Sequence, residues 1–261
     1  MSQGVVEHSI FPPSPALRRF VKRFEITKSQ AERTHILLPD TSLVACFRLD
    51  GMAFLNGSTA LPAALVSGLQ DRARRVTHMR GSQVLLAVFT EAGAAAFLRE
   101  PIMHRLFNQT MPLECVVERS LWSSMHAQMM EASEHCRRVE VLERFFLRQL
   151  EAEAPDPVAE AAARLILRLR GSIRMEKLAK GMGFSLSALE RRFRMRVGAS
   201  PRSFAKIVRM RHALRLRKAG KTSAEVAHMA GYCDQSHFIK AFRGFTGCAP
   251  ESFFREDSSY C

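Results

Sequence analysis

One pattern of residues occurs twice in the chain, first as Leu178-Ala179-Lys180-Gly181-Met182-Gly183-Phe184-Ser185 and again as Val226-Ala227-His228-Met229-Ala230-Gly231-Tyr232-Cys233-Asp234. Both copies are followed by the same series of apolar, glycine and proline positions. These are Leu189, Phe193, Gly198, Pro201 and Phe204 after the first copy, and Phe238, Phe242, Gly247, Pro250 and Phe253 after the second. The offset is 48 residues between Gly183 and Gly231, and 49 from Leu189 and Phe238 onward. Such a repeat predicts two copies of one structural unit, the second with an extra turn residue.

Each copy has the pattern of two helices joined by a tight turn. In the first copy, Leu178 and Met182 belong to an apolar stripe at helical spacing, and Gly183 stands where a left-handed residue would end the helix. Ser185 stands before the second helix of the first copy, and Asp234 stands there in the second copy. Both residue types can cap a helix by accepting hydrogen bonds from its unpaired first-turn amides. The pattern therefore predicts two helix-turn-helix units, whose second helices typically lie in the major groove of DNA.

The polar faces of these second helices carry side chains that are suited to base edges and phosphates. The candidates for DNA binding are Ser187, Glu190, Arg191, Arg192 and Arg194 in the first unit, and Gln235, Ser236, Ile239, Lys240 and Arg243 in the second. An arginine-rich helix face by itself is also typical of a solvated surface. Two such faces at matched repeat positions favour the DNA-binding interpretation.

The positive charge of the chain is concentrated in the region of the repeat. Residues 1–157 hold 18 Lys+Arg and 17 Asp+Glu, whereas residues 158–261 hold 21 and 8, out of a net charge of +14. A concentrated positive field attracts a phosphate backbone. RNA or an anionic membrane would be attracted equally, but neither explains a paired helix-turn-helix pattern. The aromatic residues of the repeat recur at core spacing, so we interpret them as buried residues and not as base-stacking platforms.

A long helix is predicted between the two units. Ser200-Pro201 is a cap followed by a first-turn proline, and apolar residues recur at helical spacing to about Lys218. Some eighteen residues at about 1.5 Å each give roughly 27 Å. This length is a little shorter than the roughly 34 Å repeat of B-DNA, so one chain would reach two successive major grooves with slight bending.

Residues 172–255 resemble the DNA-binding domain of AraC/XylS-type transcription regulators, in which a long helix joins two helix-turn-helix units. The resemblance is carried by some twenty positions at fixed spacing, among them Gly183-Phe184-Ser185, Ser200-Pro201, Gly231-Tyr232 and Asp234-Gln235-Ser236-His237-Phe238. It implies a sequence-specific regulator of transcription with base contacts from Ser187, Glu190 and Arg191, and from Gln235, Ser236, Ile239 and Lys240. The alternative function is an architectural DNA-binding protein without sequence preference.

The N-terminal half is expected to be rich in short strands. Runs of valine, leucine and phenylalanine alternate with turn signals such as Asp50-Gly51 and Asn56-Gly57, which indicates a small barrel or sandwich. The predicted strands are Phe20–Thr27, His35–Leu38, Leu43–Leu49, Met52–Leu55, Ala64–Leu69, Arg75–Met79 and Gln83–Thr90. Helices are predicted over Ala92–Arg99, Glu118–Ala132 and Arg137–Glu151, and the apolar face of the last is either core or the seam of a homodimer.

The expected fold class is α+β with two domains: an N-terminal β-barrel or sandwich-like domain with helices, and a C-terminal all-α domain. The predicted division is 1–151 for a sensing or dimerisation domain, 152–157 for a proline-containing linker, and 158–261 for the DNA-binding domain. The front half also resembles the β-rich regulatory domain of a subset of the same family, through segments such as Leu38-Pro39-Asp40 and Val84–Phe89. That resemblance implies a β-rich module that either senses a small-molecule effector or dimerises, and it assigns no effector-binding residues.

Signatures of catalysis and metal binding are missing from the sequence. It has no Gly-rich phosphate loop, nucleophile elbow, paired His-Glu-x-x-His or Cys-x-x-Cys, and its six cysteines are scattered. We therefore predict no enzyme activity, metal site or cofactor, and reduced thiols in a cytoplasmic protein. No signal-peptide pattern or membrane-length apolar run is found. The predicted partner is double-stranded DNA, with an effector, RNA polymerase and a second copy of the chain as further candidates.

Overall fold

The structure is a computed structural model that describes residues 6–98, 102–150 and 156–255. Strands dominate the N-terminal part and helices alone form the C-terminal part, which confirms the predicted α+β class. The strands are β1 (Val6–Phe11), β2 (Val21–Ser29), β3 (Arg33–Leu37), β4 (Val44–Asp50), β5 (Ala53–Leu55), β6 (Thr59–Ala60), β7 (Ala64–Ser67), β8 (Arg74–His78), β9 (Gln83–Phe89) and β10 (Thr110–Pro112). The helices are α1 (Ile102–Arg105), α2 (Arg119–Glu131), α3 (His135–Gln149), α4 (Pro157–Arg168), α5 (Met175–Gly181), α6 (Leu186–Val197), α7 (Pro201–Lys218), α8 (Ser223–Met229), α9 (Gln235–Thr246) and α10 (Pro250–Arg255).

The strands form two antiparallel sheets. The larger has the order β1-β2-β9-β4-β7-β10, and the smaller has the order β3-β8-β5-β6. Because side chains alternate along a strand, the larger sheet has two different faces. Phe24 and Ile26 of β2 belong to the hydrophobic core, whereas Arg23 and Glu25 line a cavity that is also lined by the smaller sheet.

The helices α2 and α3 belong to the same core as the larger sheet. Phe146 of α3 contacts the rings of Phe24, Phe89 and Phe97, with centroid distances of 4.8–6.4 Å. Most of the apolar face predicted for α3 is thus buried within one chain. Those residues therefore belong to the core and not to the seam of a homodimer.

Several elements differ from the sequence expectation. Strands β1, β6 and β10 were not predicted, and β1 forms because its backbone pairs with β2 over six residues, from Val6 opposite Ser29 to Phe11 opposite Phe24. The helix expected over Ala92–Arg99 is wrong: Gly93–Ala96 is a 3-10 helix, and Arg99 lies outside the described residues. A Cβ on Gly93 would lie 2.0 Å from the carbonyl oxygen of Phe20, so the chain passes too close there for any other residue.

The C-terminal part contains the two predicted helix-turn-helix units, α5–α6 and α8–α9, with α7 between them. Helix α4 begins at Pro157, one residue before its predicted start, and the side chain of Asp156 accepts hydrogen bonds from the amides of Val158 and Ala159. The rest of the predicted linker lies outside the described residues, so the division into domains stays a prediction. One continuous apolar core runs from Leu17 to Phe253 and joins the two parts.

Candidate DNA-binding surface and the adjoining cavity

The two candidate recognition helices, α6 and α9, are built in the same way. Each has twelve residues, and their starts, Leu186 and Gln235, keep the 49-residue offset of the repeat. The predicted caps are confirmed: Ser185 accepts a hydrogen bond from the amide of Ala188, and Asp234 accepts one from that of His237. Both helices end at a left-handed glycine, as the repeat predicts.

The side chains predicted to read DNA show the same exposure in both units. The exposed members of the matched pairs are Ser187 with Ser236, Arg191 with Lys240, and Arg194 with Arg243; Gln235 is also exposed. Glu190 and its counterpart Ile239 are half-buried. Within the described part of the chain, Arg191, Arg194, Lys240 and Arg243 have no carboxylate partner. These four cationic side chains are therefore exposed to solvent, and no carboxylate of the described residues neutralises them.

Arg192 differs from its neighbours on α6. Its Nη1 atom lies 3.0 Å from Oδ2 of Asp156, and its guanidinium lies 5.1 Å from the centre of the Phe184 ring. Asp156 is also the cap of α4. Arg192 is therefore a brace that connects α6 with the start of α4, and its guanidinium is already paired within the protein.

The long helix α7 has eighteen residues, as predicted, and thus a length of about 27 Å. Arg209 of α7 connects the turn between α4 and α5 with the second unit. Its Nη2 donates to the carbonyl oxygen of Gly171 at 3.0 Å, and its guanidinium lies 5.8 Å from the centre of the Tyr232 ring. Phe193 and Phe242 are fully buried, and Phe184 and Tyr232 pack against the core. The aromatic residues of the repeat therefore serve packing, in agreement with the sequence interpretation.

Comparisons with known proteins agree with this geometry. Residues 178–256 match the family described as "Helix-turn-helix domain". The chain is 32% identical over 83 residues to the HTH-type transcriptional regulator MtrA of Neisseria gonorrhoeae, a match that covers 31% of this chain and 28% of that relative. Residues 178–256 are a helix-turn-helix domain.

Two solved structures are also similar. ToxT from Vibrio cholerae has 13% sequence identity and a TM-score of 0.46, and the match covers 96% of this chain and 98% of that one. The C-terminal domain of AraT from Geobacillus stearothermophilus has 24% identity and a TM-score of 0.37, over 39% of this chain and 86% of that one.

Among the described residues, the N-terminal part contacts α6, α7 and α9 of the helix-turn-helix domain. The amide of Ala73 donates to the carbonyl oxygen of Phe245 in α9 at 2.8 Å. Arg211 of α7 forms an ion pair with Asp40 at 2.9 Å. Helix α6 packs against α1 and the 3-10 helix at Gly93–Ala96. Both recognition helices and the helix that spaces them are therefore in contact with the N-terminal part.

A cavity of about 800 Å³ lies between the two sheets and is closed in part by α7. Leu65, Val76 and Leu86 are among its apolar wall residues, and Leu214, Arg215 and Lys218 of α7 also line it. On its wall the rings of His35 and His78 stack, with centroids 5.0 Å apart and planes 9° apart. Burial, the second imidazole and Arg33 lower the pKa of His35 to about 4, so both rings are neutral at physiological pH.

The polar wall of this cavity has one counterpart in the sequence pattern of the strands. In β2, Arg23 and Glu25 alternate with the core residues Phe24 and Ile26, and in β4 Arg48 follows Phe47 in the same way. Such alternation is equally typical of a sheet face in contact with solvent. Only the position of the smaller sheet shows that these polar side chains face an enclosed space.

The described residues contain no helix long and apolar enough to cross a membrane. They also hold no group of three or more histidine, cysteine, aspartate or glutamate side chains that would suit a metal ion. Cys261, one of the six cysteines, lies outside them.

Proposed function

We propose that the protein is a sequence-specific transcription regulator that binds double-stranded DNA through α6 and α9 and responds to a small molecule through its N-terminal part. The observation that carries the proposal is the matched exposure of Arg191 and Lys240. These residues occupy equivalent positions of two helix-turn-helix units, and neither has an internal anionic partner in the described chain. Among the relatives, the match to MtrA covers less than a third of that protein, so its role as a regulator comes to this chain as support for the proposal only.

In the proposed complex, α6 and α9 lie in successive major grooves on one face of the duplex. Arg191 and Lys240 are suited to guanine, which offers two acceptors in the major groove, and Gln235 is suited to adenine. The half-buried Ile239 would touch a thymine methyl group, and Glu190 would accept from a cytosine amine. Because α7 spans about 27 Å and the groove repeat is about 34 Å, we expect slight bending of the DNA toward the protein.

The proposed effector site is the cavity between the sheets. Its volume of about 800 Å³ lies within the range of small-molecule sites. Since α7 forms part of its wall and Asp40 holds α7 by an ion pair, a molecule in the cavity would act on the helix that sets the separation of α6 and α9. RNA polymerase and a second copy of the chain are further proposed partners of such a regulator.

Competition binding tests the proposal. After selection of a site from random DNA, Arg191→Ala and Lys240→Ala should each weaken binding to that site by about 1–3 kcal/mol and relax its base preference. Arg148→Ala is the matched control, because this exposed arginine of α3 carries the same charge but lies on the N-terminal part; it should leave site affinity within a factor of two.

The alternative is an architectural DNA-binding protein, which the concentration of positive charge in residues 158–261 would also suit. If random DNA competes as well as the selected site, or if both alanine variants lose affinity equally on all sequences, the alternative is correct.

A further inference from the structure

The charges that line the cavity are unbalanced. Among the described residues, seven arginine and lysine side chains but only two carboxylates, Glu25 and Asp40, form its wall. Glu25 is already paired with Arg23 and His8, and Asp40 is paired with Arg211. No carboxylate among the described residues pairs with the remaining cations, although most of the wall around them is apolar.

Arg74, at the start of β8, is fixed in this wall by hydrogen bonds to neutral side chains. Its Nη1 donates to Oγ1 of Thr110 at 2.6 Å, and its Nη2 donates to Oγ of Ser67 at 2.8 Å. Both partners are neutral hydroxyls, and Nε is buried without a hydrogen-bond partner. Burial also holds the pKa of Arg74 below its ordinary value, the sign of a cation that has lost hydration without gaining a counter-charge. A half-buried cation of this kind is stabilised by an anion.

We propose that Arg74 binds the anionic head group of a small molecule whose apolar body fills the cavity. This inference rests on the proposed role of the cavity as an effector site, and it adds the chemical class of the effector. Ser67 and Thr110 hold the guanidinium in one orientation, so that its three remaining N–H donors keep fixed directions toward an anion. Leu65, Val76 and Leu86 provide the apolar wall for the body of the molecule.

The position of Arg74 also connects the head group to DNA binding. The residue before it, Ala73, donates its amide to the carbonyl oxygen of Phe245 in the last turn of α9. A head group bound at Arg74 therefore acts one residue away from a contact with the second recognition helix. A neutral molecule of the same shape would fill the cavity without binding Arg74.

Two fluorescent probes that differ by one sulfonate group test the proposal. The sulfonate 8-anilino-1-naphthalenesulfonate and the neutral N-phenyl-1-naphthylamine share one apolar body, and both gain fluorescence in an apolar site. The full chain should bind the sulfonate with one-to-one stoichiometry and at least tenfold more tightly than the neutral probe. Arg74→Met should weaken the sulfonate about tenfold, equivalent to about 1.4 kcal/mol, and leave the neutral probe within twofold.

Arg75→Met is the matched control, because Arg75 is the next residue of β8, carries the same charge and is exposed outside the cavity. It should leave both affinities unchanged. The proposal is overturned if Arg74→Met lowers both affinities equally, if it lowers neither, or if the wild-type chain shows no preference for the sulfonate.

A second measurement uses the unaltered chain and remains decisive if Arg74→Met fails to fold. Phenylglyoxal modifies accessible arginines, and mass spectrometry should show that the sulfonate protects Arg74 while the neutral probe at equal occupancy does not. Equal protection by both probes would contradict the proposal. Neither experiment contains DNA, so a failure here is distinct from a failure of the proposed DNA binding.

Discussion

The adjacent residues Arg191 and Arg192 should have separable roles in DNA affinity and stability. Arg192→Ala removes an ion pair with Asp156 in which the two side chains are 42% and 11% exposed, together with a cation–π contact to Phe184. A partly exposed ion pair contributes about 0.2–1 kcal/mol, and an exposed cation–π contact contributes about 0.5–1 kcal/mol. We therefore expect a loss of about 1 kcal/mol, which in a chain of this size lowers the melting temperature by about 2–4 °C.

Differential scanning calorimetry and DNA titration on the same samples measure the two effects. Arg191→Ala, the matched control, removes an exposed side chain without an internal ion-pair partner, so its melting temperature should stay within about 1 °C while its affinity for the selected site falls. Asp156→Ala should destabilise more than Arg192→Ala, because it also removes the cap of α4. If Arg192→Ala leaves the melting temperature unchanged and weakens DNA binding as much as Arg191→Ala, the assignment of Arg192 as a brace is wrong.

Two further predictions concern the N-terminal part. Gly93→Ala should lower the free energy of unfolding by about 1–3 kcal/mol, because its Cβ would lie 2.0 Å from the carbonyl oxygen of Phe20. The control is Gly244→Ala, at an open position of α9, which should be neutral or stabilising in the same thermal melt. Equal melting temperatures for the two variants would refute the close approach. Burial in the folded state lowers the pKa of His35 from its ordinary value of 6.5 to about 4, so the unfolded chain binds the proton more readily. Stability should be full above about pH 6.5 and fall as the pH drops toward 4. His35→Phe, which keeps a ring next to His78, should flatten this dependence, and an unchanged pH profile would show that His35 does not contribute to it.

The recognition helices could be predicted from the sequence because their determinants are local. The caps Ser185 and Asp234, the left-handed glycines and the apolar spacing all act within a few residues, and they recur at one offset. Helix α7 followed from Ser200-Pro201 and a continuous apolar pattern in the same way. Because these local signals agree with the overall fold, the helix bounds predicted from the sequence differ little from those observed.

Other features could not be predicted from the sequence, because they depend on contacts between distant residues. They are the ion pair of Arg192, the strand β1 and the cavity. Arg192 follows Arg191 directly, and nothing in the sequence distinguishes them; only the position of Asp156, 36 residues away, separates a brace from an exposed cation. The residues of β1 are largely exposed and become a strand because β2 offers them a partner. Arg74 likewise resembles its neighbour Arg75 until the larger sheet supplies Ser67 and Thr110.

The central claim is that α6 and α9 read two separate stretches of one DNA site. Its most direct test is selection from a random DNA pool with the wild-type chain, Arg191→Ala and Lys240→Ala in parallel. We expect two blocks of base preference separated by about one helical turn, roughly 10 base pairs, with Arg191→Ala erasing preference in one block and Lys240→Ala in the other. A single block, or loss of the same preferences in both variants, would contradict the account.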